Sequence, residues 1–285
     1  MKPKLTERDI AICKSVYTYR YLSVSQIKQL HFVSPRPAWR RLQALTQLGF
    51  LKAFTTPNMQ ERIFYLDKKG AEVVAIELQT SFEDLAWHRH MRTPKDYHFL
   101  KHFLAINDFR ILLTLACQQQ PEITLLDFIP EYIGEQTKEG FVKKYLRDSV
   151  NGLSHTPDGV FSLEKSGKSA LFFVEIDRGI EVVSDPEKGL LKAIIFYLNY
   201  WCSRNWLRYQ EDFKREFQTF RVLIVTTSQV RLQNIREIVT GLISAPPDGR
   251  RYLWCTLGNW LRIDTVFDPI WQSLDKNDDM AYRIG

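Results

Sequence analysis

Three acidic side chains lie near the ends of a short predicted hairpin, and carboxylates are the ligands that hard divalent cations prefer. Asp158 precedes a first apolar run, and Glu175 and Asp177 close a second run that starts at Leu171. The polar segment between the runs contains Gly167 and predicts a turn. Because strands joined by a tight turn are antiparallel, the start of the first lies beside the end of the second. We therefore expect the three carboxylates at one end of the hairpin.

This clustering of carboxylates indicates a metal site. Glu175 and Asp177 are two residues apart, so an extended chain directs both side chains to one face. Three close negative charges repel one another, and a bound Mg²⁺ or Mn²⁺ ion relieves that repulsion. Such an ion can activate water and neutralise charge on a phosphodiester. An ordinary hairpin with solvated acids at its ends is equally compatible with the pattern.

The order of these acids resembles the PD-(D/E)xK nuclease motif, with Asp158 after a proline and Glu175-x-Asp177 after the hairpin. The resemblance implies a core of a helix, a three-stranded meander, a helix and a further strand, with the metal held by the acids. It also implies a catalytic lysine at the last motif position, which is Asp177 here. Some branches of that family carry the lysine on the following helix, where Lys192 is the candidate and Lys188 the alternative.

A longer set of residues resembles a narrower family. Residues 156–159 (Thr-Pro-Asp-Gly) and 175–179 (Glu-Ile-Asp-Arg-Gly) are similar to the replication-relaxation proteins, which resemble the MobC-type relaxases of mobilisable plasmids. The resemblance covers most of the chain and implies a winged helix before a restriction-endonuclease-like domain. It implies metal-binding and catalytic roles for Asp158, Glu175 and Asp177.

The first eighty residues predict three helices and then two strands, which is the order of a winged helix-turn-helix domain. Thr6 and the Ser34-Pro35 pair are predicted to begin the first and third helices, and Gly49 to end the third. The two strands, near residues 51–54 and 62–66, flank a polar tip.

Basic residues of this region predict contact with DNA. In a helix-turn-helix the third helix enters the major groove with its first residues near base edges, and wing residues reach phosphates. The candidates are Arg36, Arg40 and Arg41 on the helix and Lys52 and Arg62 in the wing. A solvated face of a protein–protein module is the alternative, and Trp39 is expected in the core.

The remaining chain predicts a second domain. Residues 81–95 are polar and predict a linker between a winged-helix domain at 1–80 and a nuclease-like domain at 96–285. Helical and strand periodicities alternate after the linker, so the fold class is α/β with a mixed α+β character. A basic loop before the hairpin carries Lys143 and Lys144, which are candidates for the DNA backbone. A solvated insertion is the alternative for that loop.

Bulk composition excludes several classes. The chain has 285 residues, 45% of them hydrophobic, and a net charge of +6, which is compatible with a phosphate-backbone partner. No apolar run of about 18 residues and no N-terminal signal region are present, so we expect a cytoplasmic protein without a membrane partner. Four scattered cysteines without a CxxC pair argue against zinc and against a disulfide framework.

Two functions are compatible with these patterns. The first is a metal-dependent endonuclease of the relaxase kind, which nicks duplex DNA at a specific site during plasmid mobilisation or replication, with Lys192 assisting the water or the leaving oxygen. The alternative is a non-catalytic DNA-binding regulator or accessory protein with a degenerate nuclease-like domain, which the missing motif lysine favours. The expected partners are double-stranded DNA and other mobilisation or replication proteins, and the sequence leaves a homodimer open.

Overall fold

The computed structural model describes residues 5–56, 58–85, 87, 97–137, 140–180, 183–242 and 247–285. They form a mixed α/β structure, which confirms the predicted class. The chain divides into one compact unit of Met1–Ile111 with Gly134–Lys144 and another of Leu112–Ile133 with Tyr145–Gly285. Most of the predicted linker lies outside the described residues, and the predicted domain boundaries stay a prediction. Within the described ranges, no helix combines the length and the apolar composition that a membrane span requires.

The N-terminal part of the first unit consists of helices and a small antiparallel sheet. The helices are α1 (Glu7–Tyr19), α2 (Val24–His31), α3 (Pro35–Gln47) and α4 (Lys68–Glu77), and the strands are β1 (Leu22–Ser23), β2 (Leu51–Phe54) and β3 (Ile63–Leu66). The strand order is β1-β3-β2, and both neighbouring pairs are antiparallel. A short strand after α1 adds to the two strands predicted for this region, because Leu22 and Ser23 pair with β3.

Two capping boxes set the starts of α1 and α2. The Thr6 hydroxyl accepts the Asp9 N–H, and the Asp9 carboxylate accepts the Thr6 N–H at 2.7 Å. Ser23 and Gln26 form the same pair of bonds at α2. Such reciprocal bonds satisfy N–H groups that have no partner inside the helix.

The first part of α5 (Tyr97–Gln119) supplies polar side chains to the first unit. The Asn107 amide donates to the carbonyl oxygens of Tyr19 and Tyr21, at 3.1 and 2.8 Å. The Gln26 amide donates to the Leu104 carbonyl oxygen at 2.8 Å. These bonds connect the N-terminal half of α5 to the end of α1 and to α2.

The second unit contains a large mixed sheet. The strands that follow α5 are β4 (Ile123–Pro130), β5 (Tyr132–Thr137), β6 (Gly140–Tyr145), β7 (Asp148–Val150), β8 (Leu153–His155), β9 (Gly159–Lys165), β10 (Lys168–Ile176), β11 (Phe220–Thr226), β12 (Leu253–Leu257), β13 (Trp271–Ser273) and β14 (Ala281–Tyr282). Of these, β5 and β6 form a small hairpin that falls mostly within the first unit, and β7 and β8 form a small hairpin of the second unit. The described strands of the large sheet are ordered β14-β13-β12-β11-β10-β9-β4. Only β10–β11 and β11–β12 are parallel among these pairs.

Helices cover the parallel part of this sheet. They are α6 (Gly189–Ser203), α7 (Tyr209–Phe213), α8 (Gln229–Gly241) and α9 (Pro247–Arg250). Phe173 of β10 packs its ring against Tyr197 and Tyr200 of α6 and against Phe220 of β11. This aromatic core explains why α6 is apolar on most of its surface, since a helix that is buried on several sides needs no polar face.

The predicted hairpin is present as β9 and β10. Gly159 pairs with Val174 at one end, and Lys165 pairs with Lys168 beside the turn at the other end. The two turn residues, Ser166 and Gly167, have φ angles of +50° and +71°, which match a two-residue turn with left-handed positions. A Cβ atom at Gly159 would lie 2.5 Å from the Phe128 ring, so the close approach of β4 and β9 requires glycine there.

Two predicted elements differ from the structure. The lysine-rich segment predicted as a loop forms the β5–β6 hairpin. Its many charged residues gave no clear strand pattern in the sequence. The Ser184-Asp185-Pro186 sequence is typical of a helix N-terminus and predicts that a helix starts there, but the helix starts at Gly189. The Asp185 side chain accepts the Glu187 N–H at 2.9 Å, and this local bond turns the chain and competes with helix formation.

Candidate functional site

Glu175 lies at the C-terminal end of β10 and is the centre of a buried polar cluster. Its Oε1 atom accepts the Tyr197 hydroxyl of α6 at 2.5 Å. The same oxygen lies 2.7 Å from Nε2 of His155, the last residue of β8. The backbone of β10 places Glu175, α6 supplies Tyr197, and the β7–β8 hairpin supplies His155. Because both contacts use Oε1, Oε2 is the carboxylate oxygen left for another ligand.

Asp158 lies next to this cluster. It directly precedes β9, and its Oδ2 atom accepts the Ile176 N–H at 2.7 Å. The negative charge of Asp158 also acts on Glu175, His155 and Tyr197. The structure therefore brings together the predicted pair of Asp158 and Glu175 at one end of the hairpin.

The cluster retains protons more strongly than its isolated groups. Burial raises the pKa of the Glu175 carboxyl, and this effect outweighs the opposing attraction of His155. Burial alone would lower the pKa of the His155 imidazole, but the charges of Glu175 and Asp158 outweigh burial and raise it. Burial also raises the pKa of the Tyr197 hydroxyl far above its ordinary value, which agrees with its role as a hydrogen-bond donor to Glu175.

Asp177 has a different set of partners. Arg231 near the start of α8 donates from Nε and Nη2 to the two carboxylate oxygens, at 2.5 and 2.8 Å. The Thr226 hydroxyl donates to Oδ2 at 2.6 Å, and the Gly179 N–H donates to Oδ1 at 3.1 Å. Asp177, which was predicted as a third metal ligand, is thus held to α8 by a bidentate ion pair.

The two candidate lysines of α6 occupy unequal positions. Lys188 is exposed and is the N-cap residue of the helix. Lys192 is exposed within α6, and its positive charge acts to lower the pKa of His155. The ammonium group of Lys192 is therefore within electrostatic range of the Glu175 cluster.

The sequence did not assign His155 or Tyr197 as partners of Glu175. His155 lies three residues before Asp158, inside the stretch that carries the motif, and that position was the available signal. Tyr197 was interpreted mainly as a packing residue of an aromatic-rich helix, with a nucleophile as the alternative. Only the packed helix shows that its hydroxyl contacts Glu175.

The expected metal site can be compared with the carboxylates of the described residues. Among the residues that the structure describes, no group of three or more His, Cys, Asp or Glu side chains is arranged to hold a metal ion. Asp158 and Glu175 are nevertheless adjacent, and Mg²⁺ commonly takes one or two carboxylates and fills its other positions with water or phosphate oxygens. The donor set is therefore compatible with Mg²⁺ or Mn²⁺, with Asp177 outside it.

The α3 surface of the first unit separates into two faces. Ala38, Leu42 and Leu45 are buried, whereas Arg36 and Arg40 are exposed. These residues follow the helical period, so the two arginines lie on the side opposite the core.

The other residues predicted to contact DNA differ in their exposure and in their partners. Arg41 forms a bidentate ion pair with the buried Asp9 of α1. Lys52 is half-buried on β2, and Arg62 is exposed just before β3. The side chains of Lys143 and Lys144, in β6, lie outside the described part of the chain. Trp39 was expected in the core, and that expectation is wrong, because 36% of it is exposed.

Removing the Tyr197 hydroxyl tests the Glu175 cluster. We expect Tyr197→Phe to lower the free energy of unfolding by about 2 kcal/mol, since a hydrogen bond to a buried charged group contributes about 1.5–3 kcal/mol. Urea unfolding measures the change, and Tyr252→Phe, at a ring that stacks on Trp201, is the matched control. Equal stability of both variants would contradict the described cluster.

Comparison with known proteins gives one match. A family model described as replication-relaxation matches residues 14–215. This range includes the exposed face of α3 and all members of the Glu175 cluster. No curated protein and no solved structure matches the chain.

Proposed function

This chain belongs to the replication-relaxation family, and from that premise we propose that it is a duplex-DNA-binding protein of plasmid replication or mobilisation. The observation that carries the proposal is the exposed basic face of α3. Arg36 and Arg40 project from this face, and the described contacts include no acidic partner for either. A guanidinium group without a carboxylate partner is available for a phosphate or for the edge of a guanine.

The surrounding elements support this assignment. Three helices followed by an antiparallel hairpin are the components of a winged helix-turn-helix domain, in which α3 would enter the major groove. The β2–β3 hairpin would then be the wing, with Arg62 at the end of the loop that joins its strands. This loop is bound to the start of α2, because Ser25 donates from its hydroxyl and its N–H to the Glu61 carboxylate.

Loss of either arginine should weaken binding mainly through electrostatics. We expect Arg36→Ala and Arg40→Ala each to reduce the slope of log affinity against log salt by about 0.9, the value for one phosphate contact. Fluorescence anisotropy with a duplex selected from a random library by the full-length protein measures the slope. Lys14→Ala is the matched control, because it removes an equal charge that pairs with Glu77 of α4. Unchanged slopes in both arginine variants would contradict the proposed function.

A second candidate function is metal-dependent nicking of the bound DNA, and the adjacency of Asp158 and Glu175 is the observation that favours it. Asp158 and Glu175 would hold the ion, which supplies charge neutralisation and activates water when bound. Tyr197 and His155 would fix the Glu175 carboxylate through Oε1 and leave Oε2 for the ion. Lys192 would place a positive charge near the scissile phosphate.

A non-catalytic regulator or accessory protein is the competing proposal for the second unit. The nuclease motif calls for a lysine where this chain has Asp177, and the bonds of Asp177 to Arg231 and Thr226 are those of a structural ion pair. The two proposals share the DNA-binding surface and differ in whether Asp158 binds a metal ion. The nicking experiment in the Discussion separates them.

A further inference from the structure

The exposed face of α3 carries an aromatic side chain beside its arginines. Trp39 lies three residues after Arg36 and four before Gln43, and all three are exposed. Side chains at these spacings are neighbours on a helix surface. An indole ring thus lies within the same row of side chains that carries the proposed DNA contacts.

Arg62 is held over this ring. Its guanidinium carbon lies 5.2 Å from the centre of the Trp39 ring, which is the geometry of a cation–π contact. A stacked guanidinium keeps its N–H donors pointing outward in its own plane. Stacking also limits the rotamers of Arg62 before any ligand arrives, which reduces the entropy lost on binding.

These two side chains connect the α3 face to the loop end of the β2–β3 hairpin. Arg62 immediately precedes β3, and the neighbouring Glu61 is fastened to the start of α2 through Ser25. The position of Arg62 relative to α3 is therefore fixed from both sides. The surface presents cations and a partly exposed indole ring, which is complementary to a phosphate next to the methyl group of a thymine.

We propose that Trp39 and Arg62 form one recognition surface with separate roles, in which the indole edge contacts a thymine methyl group in the major groove and Arg62 binds an adjacent phosphate. This inference rests on the proposed DNA-binding function and adds to it the base that is read. Arginines alone favour guanine and phosphate, so Trp39 is what would make the site discriminate at a thymine.

Replacing thymine by deoxyuridine tests the proposal, because the exchange removes only the methyl group. Each thymine of the library-selected duplex is exchanged in turn, and binding of the full-length wild type and of Trp39→Ala is measured. We expect one position at which the exchange weakens wild-type binding about fourfold, the effect of one buried methylene-sized group. The same exchange should leave Trp39→Ala unaffected. Arg62→Ala should lower the salt slope by about 0.9 without changing the response to the exchange.

Several outcomes would overturn the inference. They are a wild type that tolerates every exchange, an equal loss in the wild type and in Trp39→Ala, and a selection that yields no preferred sequence. The wild-type measurement stands even if Trp39→Ala does not fold. If Arg36→Ala and Arg40→Ala weaken binding while no thymine is sensed, only this inference fails. If neither arginine variant changes binding, the proposed function fails as well.

Discussion

Asp158→Ala should slow the nicking of supercoiled DNA by about 100-fold or more in the presence of Mg²⁺ or Mn²⁺. Loss of a residue that merely orients a metal ligand typically costs 10–100-fold, and loss of a ligand itself removes several kcal/mol of charge stabilisation. Asp158 is one of only two adjacent carboxylates in the described site, so no neighbouring acid replaces it. The measurement is conversion of a supercoiled plasmid carrying the selected duplex to its open-circular form.

The control for this experiment lies on the same hairpin. Glu164 of β9 is bound to Arg215, and Glu164→Gln removes a carboxylate without touching the Glu175 cluster. Calorimetry with Mn²⁺ alone gives an independent readout, in which the wild type and Glu164→Gln should bind the ion and Asp158→Ala should not. If the wild type binds the duplex but neither takes up Mn²⁺ nor nicks the plasmid, the non-catalytic proposal is correct.

Asp9→Ala should lower the free energy of unfolding by about 3 kcal/mol at neutral pH. The Asp9 side chain has no exposed surface, and it binds Arg41 of α3 and the Thr6 cap of α1. Removing one member of a buried ion pair is costly because the remaining charge loses its partner. Urea unfolding measures the loss, and Glu7→Ala on the exposed side of α1 should change stability by about 0.5 kcal/mol or less.

The same ion pair predicts a dependence on pH. Burial would raise the pKa of Asp9, but hydrogen bonds from Arg41 and Thr6 outweigh burial and hold the pKa below its ordinary value. A carboxyl group with a lowered folded-state pKa stabilises the fold above its unfolded pKa of about 3.9 and loses that contribution as pH falls through the folded value. The difference between wild type and Asp9→Ala should therefore shrink on acidification. A difference that is constant or grows at low pH would contradict this assignment.

Arg41 illustrates a limit of reading the N-terminal region from sequence alone. Its position in the first half of α3 is as favourable for DNA contact as that of Arg40. The helical period, however, turns Arg41 toward α1, where Asp9 binds it. Because Asp9 also caps α1, its burial and its partner could be known only once α1 and α3 had been packed together. Trp39 was assigned to the core by its apolar character, yet it lies on the flank of α3.

Local signals determined most of the elements correctly. Three features depend only on neighbours within a few residues, so the local sequence was sufficient to predict them. They are the Thr6 cap, the Ser34-Pro35 start of α3 and the turn at Gly167. The same holds for the alternating apolar runs that became β9 and β10. Local competition also explains why the helix start predicted at Ser184 is wrong. The local sequence favours a turn at Asp185 about as strongly as a helix, and the turn forms.

By itself, the sequence determined the mixed α/β class, the hairpin and the approach of Asp158 to Glu175, because the antiparallel register follows from a two-residue turn. Only the tertiary structure decided which partners each acid receives. Glu175 and Asp177 share a strand end, yet His155 and Tyr197 bind the first and Arg231 the second. Those partners come from β8, α6 and α8. Because these elements are distant in sequence from the acids, no local sequence pattern indicates the contacts. The electrostatics of a buried carboxylate are set by such distant donors, so its role is fixed only by the fold.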